Sequence, residues 1–113
     1  MSNTVSINGD KRKFSLNDNL KLYALIDAGF TKSPKGNYNY AHPLYEDSPY
    51  DATALLKMTI NKDMSQLTMV ITDKSGLKKI DIFKQNNLSG MVELLNYILK
   101  DLEERNIISE VKD

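Results

Sequence analysis

The chain contains no cysteine. That removes disulfides, thiolate nucleophiles, iron–sulfur ligation and cysteine-based zinc sites, and it suits a reducing compartment. There is one histidine, His42, and neither an HxxxH nor an EF-hand spacing, so converging metal ligands are lacking. The five glycines form neither GxGxxG nor a P-loop, and there is no GxSxG elbow. No cofactor is therefore expected. Fifteen basic and fifteen acidic side chains cancel, so no overall field steers the chain toward nucleic acid or an anionic membrane. No segment reaches the roughly 18 apolar residues of a membrane span, and Met1 to Leu16 lacks a signal-peptide core. The expectation is a cytoplasmic protein with neither nucleic acid nor membrane as partner.

What remains is ordinary globular material: 113 residues, 41% hydrophobic and 27% charged, read as a single α+β domain over 1–113. Its organising stretch runs from Leu88 to Arg105. At about 100° per residue, Leu88, Met91, Val92, Leu94, Leu95, Ile98, Leu99 and Leu102 share an arc of roughly 160°. Ser89, Glu93, Asn96, Lys100, Glu103 and Glu104 take the other side. So wide a stripe covers a sheet better than it zips into a coiled coil. Asn86 or Asn87 would cap this helix, Asp101 and Arg105 would pair four apart, and Asn106 would end it left-handed.

The sheet is expected from three alternating segments. Ala54, Leu56, Met58 and Ile60 face inward in the first, Leu67, Met69 and Ile71 in the second, and Ile80 and Ile82 in the third. Turns at Lys62–Ser65 and Asp73–Gly76 make these a meander. Upstream, Val5 and Ile7 with Phe14 and Leu16 read as a hairpin about Asn8-Gly9. Lys11, Arg12 and Lys13 would guard an edge strand. A shorter N-terminal helix from about Asn19 to Ala28, capped by Asn17 or Asp18, would bury Leu22, Leu25 and Ile26. Gly29 would terminate it and Phe30 would pack back. Ile107, Ile108 and Val111 suggest a final strand. The architecture expected is antiparallel β-sheet packed against one long C-terminal helix.

The stretch 37–51 has the most unusual composition. It holds four of the six tyrosines, Tyr38, Tyr40, Tyr45 and Tyr50, together with His42, Glu46, Asp47 and Asp51. Tyrosine offers stiff, amphipathic contact area, and carboxylates beside it can hold an amine. Tyr38, Tyr40, His42, Tyr45, Glu46 and Tyr50 are the candidate ligand-binding residues. Pro43 and Pro49 lack the N–H of a central strand, which assigns the segment to an edge or a bulge. A solitary histidine is a thin basis for catalysis, so an enzyme using His42 with Glu46 or Asp47 ranks below a binding protein.

Gly29-Phe30, Ser48-Pro49-Tyr50, Asn61-Lys62-Asp63, Gly76-Leu77, Ile82-Phe83 and Arg105-Asn106-Ile107-Ile108 together resemble the DUF1831 family of small bacterial proteins, across nearly the full chain. The resemblance implies an α+β fold with sheets on one main helix, a role in amino acid metabolism, and a remote structural likeness to bacterial S-adenosylmethionine decarboxylases. Those enzymes build a pyruvoyl group at a serine with a nearby His and Cys. Here there is no cysteine, and His42 is not in their Ser-x-x-x-x-His context, so the likeness implies a scaffold and transfers no catalytic residue. The expected function is binding of a small amino-acid-like ligand or a partner enzyme, by a monomer or weak homodimer. The alternative is a protein–protein adaptor using an exposed sheet edge or tyrosine patch.

Overall fold

The computed structural model describes residues 4–46, 48, 50, 52–84 and 89–111, with only the backbone of Ser89. The expected caps Asn86 and Asn87, and Leu88, Pro49, Asp47 and Asp51, lie outside the described residues. Along the chain run β1 (Lys13–Leu16), α1 (Leu22–Ala28), β2 (Thr31–Lys32), β3 (Tyr38–Leu44), β4 (Ala54–Ile60), β5 (Leu67–Asp73), α2 (Ser89–Glu104) and β6 (Ile108–Val111). They form two antiparallel sheets: β1 with β6, and β2-β3-β4-β5 in that order. The long helix packs on the sheets, and the fold is α+β.

The apolar stripe of α2 is the one its periodicity defines. Met91, Leu95, Ile98, Leu99 and Leu102 are buried, and Val92 and Leu94 are half-buried. Glu93, Asn96, Lys100 and Glu104 face water. These residues share one core cluster with Leu56, Met58 and Ile60 of β4, Leu67, Met69 and Ile71 of β5, and Phe14, Leu16 and Ile108 of the small sheet.

Both helices end in the same way. Gly29 N–H donates to Ile26 O (3.2 Å) and Phe30 N–H to Leu25 O (3.0 Å). Asn106 N–H likewise donates to Glu103 O (3.0 Å) and Ile107 N–H to Leu102 O (3.0 Å). These are two Schellman motifs with Gly29 (φ +105°) and Asn106 (φ +61°) left-handed. In each, the residue after the turn is buried beside its helix partner, Phe30 with Leu25 and Ile107 with Leu102. The start of α2 is held from a distance. The Gly90 N–H, which has no helical acceptor of its own, donates to Glu46 Oε2 at 2.7 Å.

Four expectations are corrected. The third strand at Ile80–Ile82 does not form. Among the described residues, an isolated Thr72–Lys79 bridge and an Ile80 N–H to Ile71 O bond (3.0 Å) are what extends past β5. The place along that edge is taken by a side chain: Asn8 Oδ1 accepts from Ile71 N (3.0 Å), and Asn8 Nδ2 donates to Ile71 O (3.2 Å) and to Ile80 O. The fourth strand is β3, on the opposite side of β4, paired from Tyr38–Ile60 to Leu44–Ala54. Because β2 covers only Tyr38 and Asn39, the stretch around Pro43 still lies on an open edge.

The N-terminal hairpin is likewise reduced to one bridge, Val5 with Phe14, above an Ile7–Asp10 turn in which Gly9 alone is left-handed. β1 finds its ladder in β6 instead, with Phe14 opposite Glu110 and Leu16 opposite Ile108. On α1, Leu25 is buried as expected, but Ala24 joins it in place of Leu22 (48% exposed) and Ile26 (55% exposed). A helix seven residues long turns too little surface inward to bury three large side chains. Its N-cap is Lys21, without a side-chain bond, because Asn17 Oδ1 is engaged by Asn19 N–H (2.7 Å).

Two consequences are measurable by denaturant unfolding. Asn8→Ala strands the Ile71 N–H against a closed edge and should cost about 1–3 kcal/mol, with Asn8→Asp no better because a carboxylate cannot donate to the two carbonyls. Gly90→Ala should destabilise although alanine is the better helix former by about 1 kcal/mol. Its Cβ would collide with the Glu46 carboxylate and approach the Glu46 carbonyl oxygen at 3.1 Å.

Candidate functional site

Strand alternation turns Tyr38, Tyr40, His42 and Leu44 to the same side of β3, and Asn39, Ala41 and Pro43 to the other. The inward row then divides by depth. Tyr38, opposite Lys32 and Ile60, is buried and belongs to the core. Leu44 is buried at the far end. Tyr40 and His42 between them are half-buried, because β2 has ended and the edge is open.

These two rings continue a row begun by Phe30. The Phe30 and Tyr40 centroids lie 5.0 Å apart with planes at 29°, and those of Tyr40 and His42 lie 6.3 Å apart at 25°. Both separations are in the range of offset stacking. His42 Nδ1 is 2.8 Å from the Pro43 carbonyl, which can only accept, so Nδ1 is the donor there and in the neutral ring Nε2 is the acceptor.

The polar side of the row comes from α2. Asp101 Oδ2 and Arg105 Nε pair at 2.9 Å, the i,i+4 pair expected from the sequence, with both side chains more than two-fifths exposed. Burial raises the Tyr40 phenol above its ordinary value, the Asp101 carboxylate adds to the rise, and the Arg105 guanidinium opposes it. The hydrogen bond to Asp101 first, then its charge, hold Arg105 firmly cationic, with Asp27 of α1 and Tyr40 contributing. On its other side, Tyr40 borders an open hollow of about 400 Å³ whose lining includes Asn39, Lys57 and Thr59.

The six candidate residues are therefore not one cluster. Tyr40 and His42 stand together. Tyr38 is structural, and Glu46 is turned onto the first turn of α2, its Oε1 buried without a partner among the described residues. Tyr45 is half-buried, and Tyr50 is almost wholly exposed at 98%. Since Glu46 points to Gly90, no carboxylate of the expected acid–base pair reaches His42 among the described residues. Phe30, Asp101 and Arg105 were absent from the sequence-based set. The first carries no signal beyond the helix stop, and the other two read only as helix support.

No three His, Asp or Glu side chains among the described residues are grouped to hold a metal. No described helix is long and apolar enough to cross a membrane.

No functionally curated protein matches the chain. A crystal structure of a DUF1831 family protein from Lactobacillus plantarum is similar to it at 35% identity and a TM-score of 0.87, covering 96% of this chain and 95% of that one. The family model for DUF1831, described as "Putative amino acid metabolism", matches residues 1–109. With nearly every position inside that match and the same fold in a solved member, the chain belongs to the DUF1831 family.

Proposed function

We propose that this chain is a cytoplasmic, non-enzymatic binding protein of amino acid metabolism, holding a small amino-acid-like ligand, free or presented by a partner enzyme, against Tyr40 and His42. The observation that carries this reading is the stacked row Phe30–Tyr40–His42, with the Asp101–Arg105 pair of α2 near enough for both charges to act on the Tyr40 phenol. Ring faces suit the hydrocarbon part of such a ligand. A guanidinium matches a carboxylate in two-pronged geometry, and Asp101 with His42 Nε2 can accept from an ammonium. Tyr45 and Tyr50, on the chain that leaves β3, supply further contact area for a partner. The family's description points the same way.

Thermal unfolding of the full chain against amino acids and their sulfur and amine derivatives tests the ligand. A ligand present at a hundredfold excess over its Kd stabilises by about 3 kcal/mol, a rise of several degrees in Tm. Arg105→Ala, at an exposed position, should abolish that rise while leaving the unliganded Tm nearly unchanged. Failure of every compound at millimolar concentration removes the small-ligand reading.

A second reading, a protein–protein adaptor, is favoured by a separate observation. Leu22, Tyr23 (69% exposed) and Ile26 present apolar surface along α1, and among the described residues the β3 edge beyond Asn39 has no neighbouring strand. Pull-down from native extract with wild-type and Ile26→Glu chains separates the readings. An adaptor yields a stoichiometric partner that the variant loses, whereas recovery of the chain alone excludes it.

A further inference from the structure

A second depression, of about 340 Å³, lies on the opposite flank of α2. At about 100° per residue, Val92 and Asn96 stand roughly 180° around the helix from Asp101 and Arg105, so this hollow is independent of the Tyr40 row. Its floor is apolar. Phe83 and Val92 are both half-buried, each packed on the core with one side left open.

Its walls are fixed by bonds already described, by one further bond and by one close contact. The Asn8 amide pins the hairpin tip to β5. Asp81 abuts Gly9 with its carboxyl group, and its Oδ1 accepts from Phe83 N–H at 2.8 Å, so one side chain sets both wall and floor.

The rim has a definite polarity. Arg12 is folded back on Asp10, with Nη2 to Oδ2 at 2.9 Å and Nε to both oxygens at 3.1 Å, and lies over the Phe14 ring at 5.6 Å. Its charge is thereby spent against Asp10. Lys11, exposed on the same rim, has no ion-pair partner among the described residues. Asn96 offers an exposed amide across the hollow. An apolar floor with one free cation and one amide is the pattern of a site for a small amphipathic anion.

We infer that this depression binds small carboxylic acids with an aromatic or branched hydrocarbon body, the carboxylate at Lys11 and the body on Phe83 and Val92. The head is held by a charge-assisted bond that a neutral amide cannot reproduce, and the body supplies the apolar contact that a bare carboxylate lacks.

Backbone amide NMR of the full chain titrated with phenylacetate tests this, with phenylacetamide and acetate as the neutral and body-less controls. Phenylacetate should shift Gly9, Lys11, Phe83, Val92 and Asn96 and leave Tyr40, His42 and Arg105 in place. Phenylacetamide, acetate and the Lys11→Glu variant should each bind roughly tenfold more weakly, while Lys11→Arg keeps the affinity. Lys11 is exposed, so the variants should unfold with the wild-type midpoint. Absence of those shifts at tens of millimolar phenylacetate, equal binding of phenylacetamide, or unchanged affinity in Lys11→Glu overturns the inference.

Discussion

Everything in this molecule leans on the removal of one face of α2 from water. Met91, Leu95, Ile98, Leu99 and Leu102 leave solvent together, a gross gain on the order of 10 kcal/mol, comparable to the whole net stability of an ordinary domain. The helix could not persist alone, and it is fastened at each end by something it does not itself encode. At its start the fastening is Glu46, a residue 44 positions upstream. At its end it is the left-handed Asn106, which sends Ile107 back under Leu102. With both ends fixed, its flanks become fixed walls, and the depression at Val92 and Asn96 takes part of its shape from one of them.

The flanks differ in chemistry because their opposite walls differ. On one side α2 faces the β3 edge, where a short β2 leaves aromatic rings half-open beside Asp101 and Arg105. On the other it faces the hairpin tip, where Gly9 and Asp81 sit in contact and Arg12 is neutralised by Asp10. The two binding readings proposed above differ accordingly: the first draws on both charges of an ion pair and the second on one.

Periodicity and stop signals made α2, β4, β5, Gly29 and Asn106 legible in the sequence, since each is a local matter of spacing or backbone preference. What escaped was decided across the chain. Ile80 and Ile82 carry a strand pattern, yet the edge they would have joined is filled by the Asn8 side chain, and no window of sequence contains both. Leu22 and Ile26 share a face with each other, but periodicity does not say that the core ends before reaching them. In the candidate site, composition singled out Tyr38, Tyr40 and His42, which β3 turns to one side. It could not tell that Tyr38 sits under β2 and the others do not. Glu46 looked like a ligand carboxylate because its helix partner, Gly90, is so far off. Arg105 looked like helix decoration because Tyr40, whose phenol its charge acts on, is farther off still.

The pairing of β1 with β6 also has a temporal side. Lys13 to Leu16 bond to Ile108 to Val111, and the Asn17 amide donates to Ser109 Oγ across 92 residues. During synthesis β1 must therefore wait, its ladder groups open, until the last strand has cleared the ribosome. Contacts of such long sequence separation form slowly, and an unpaired strand in the interval is an invitation to aggregate.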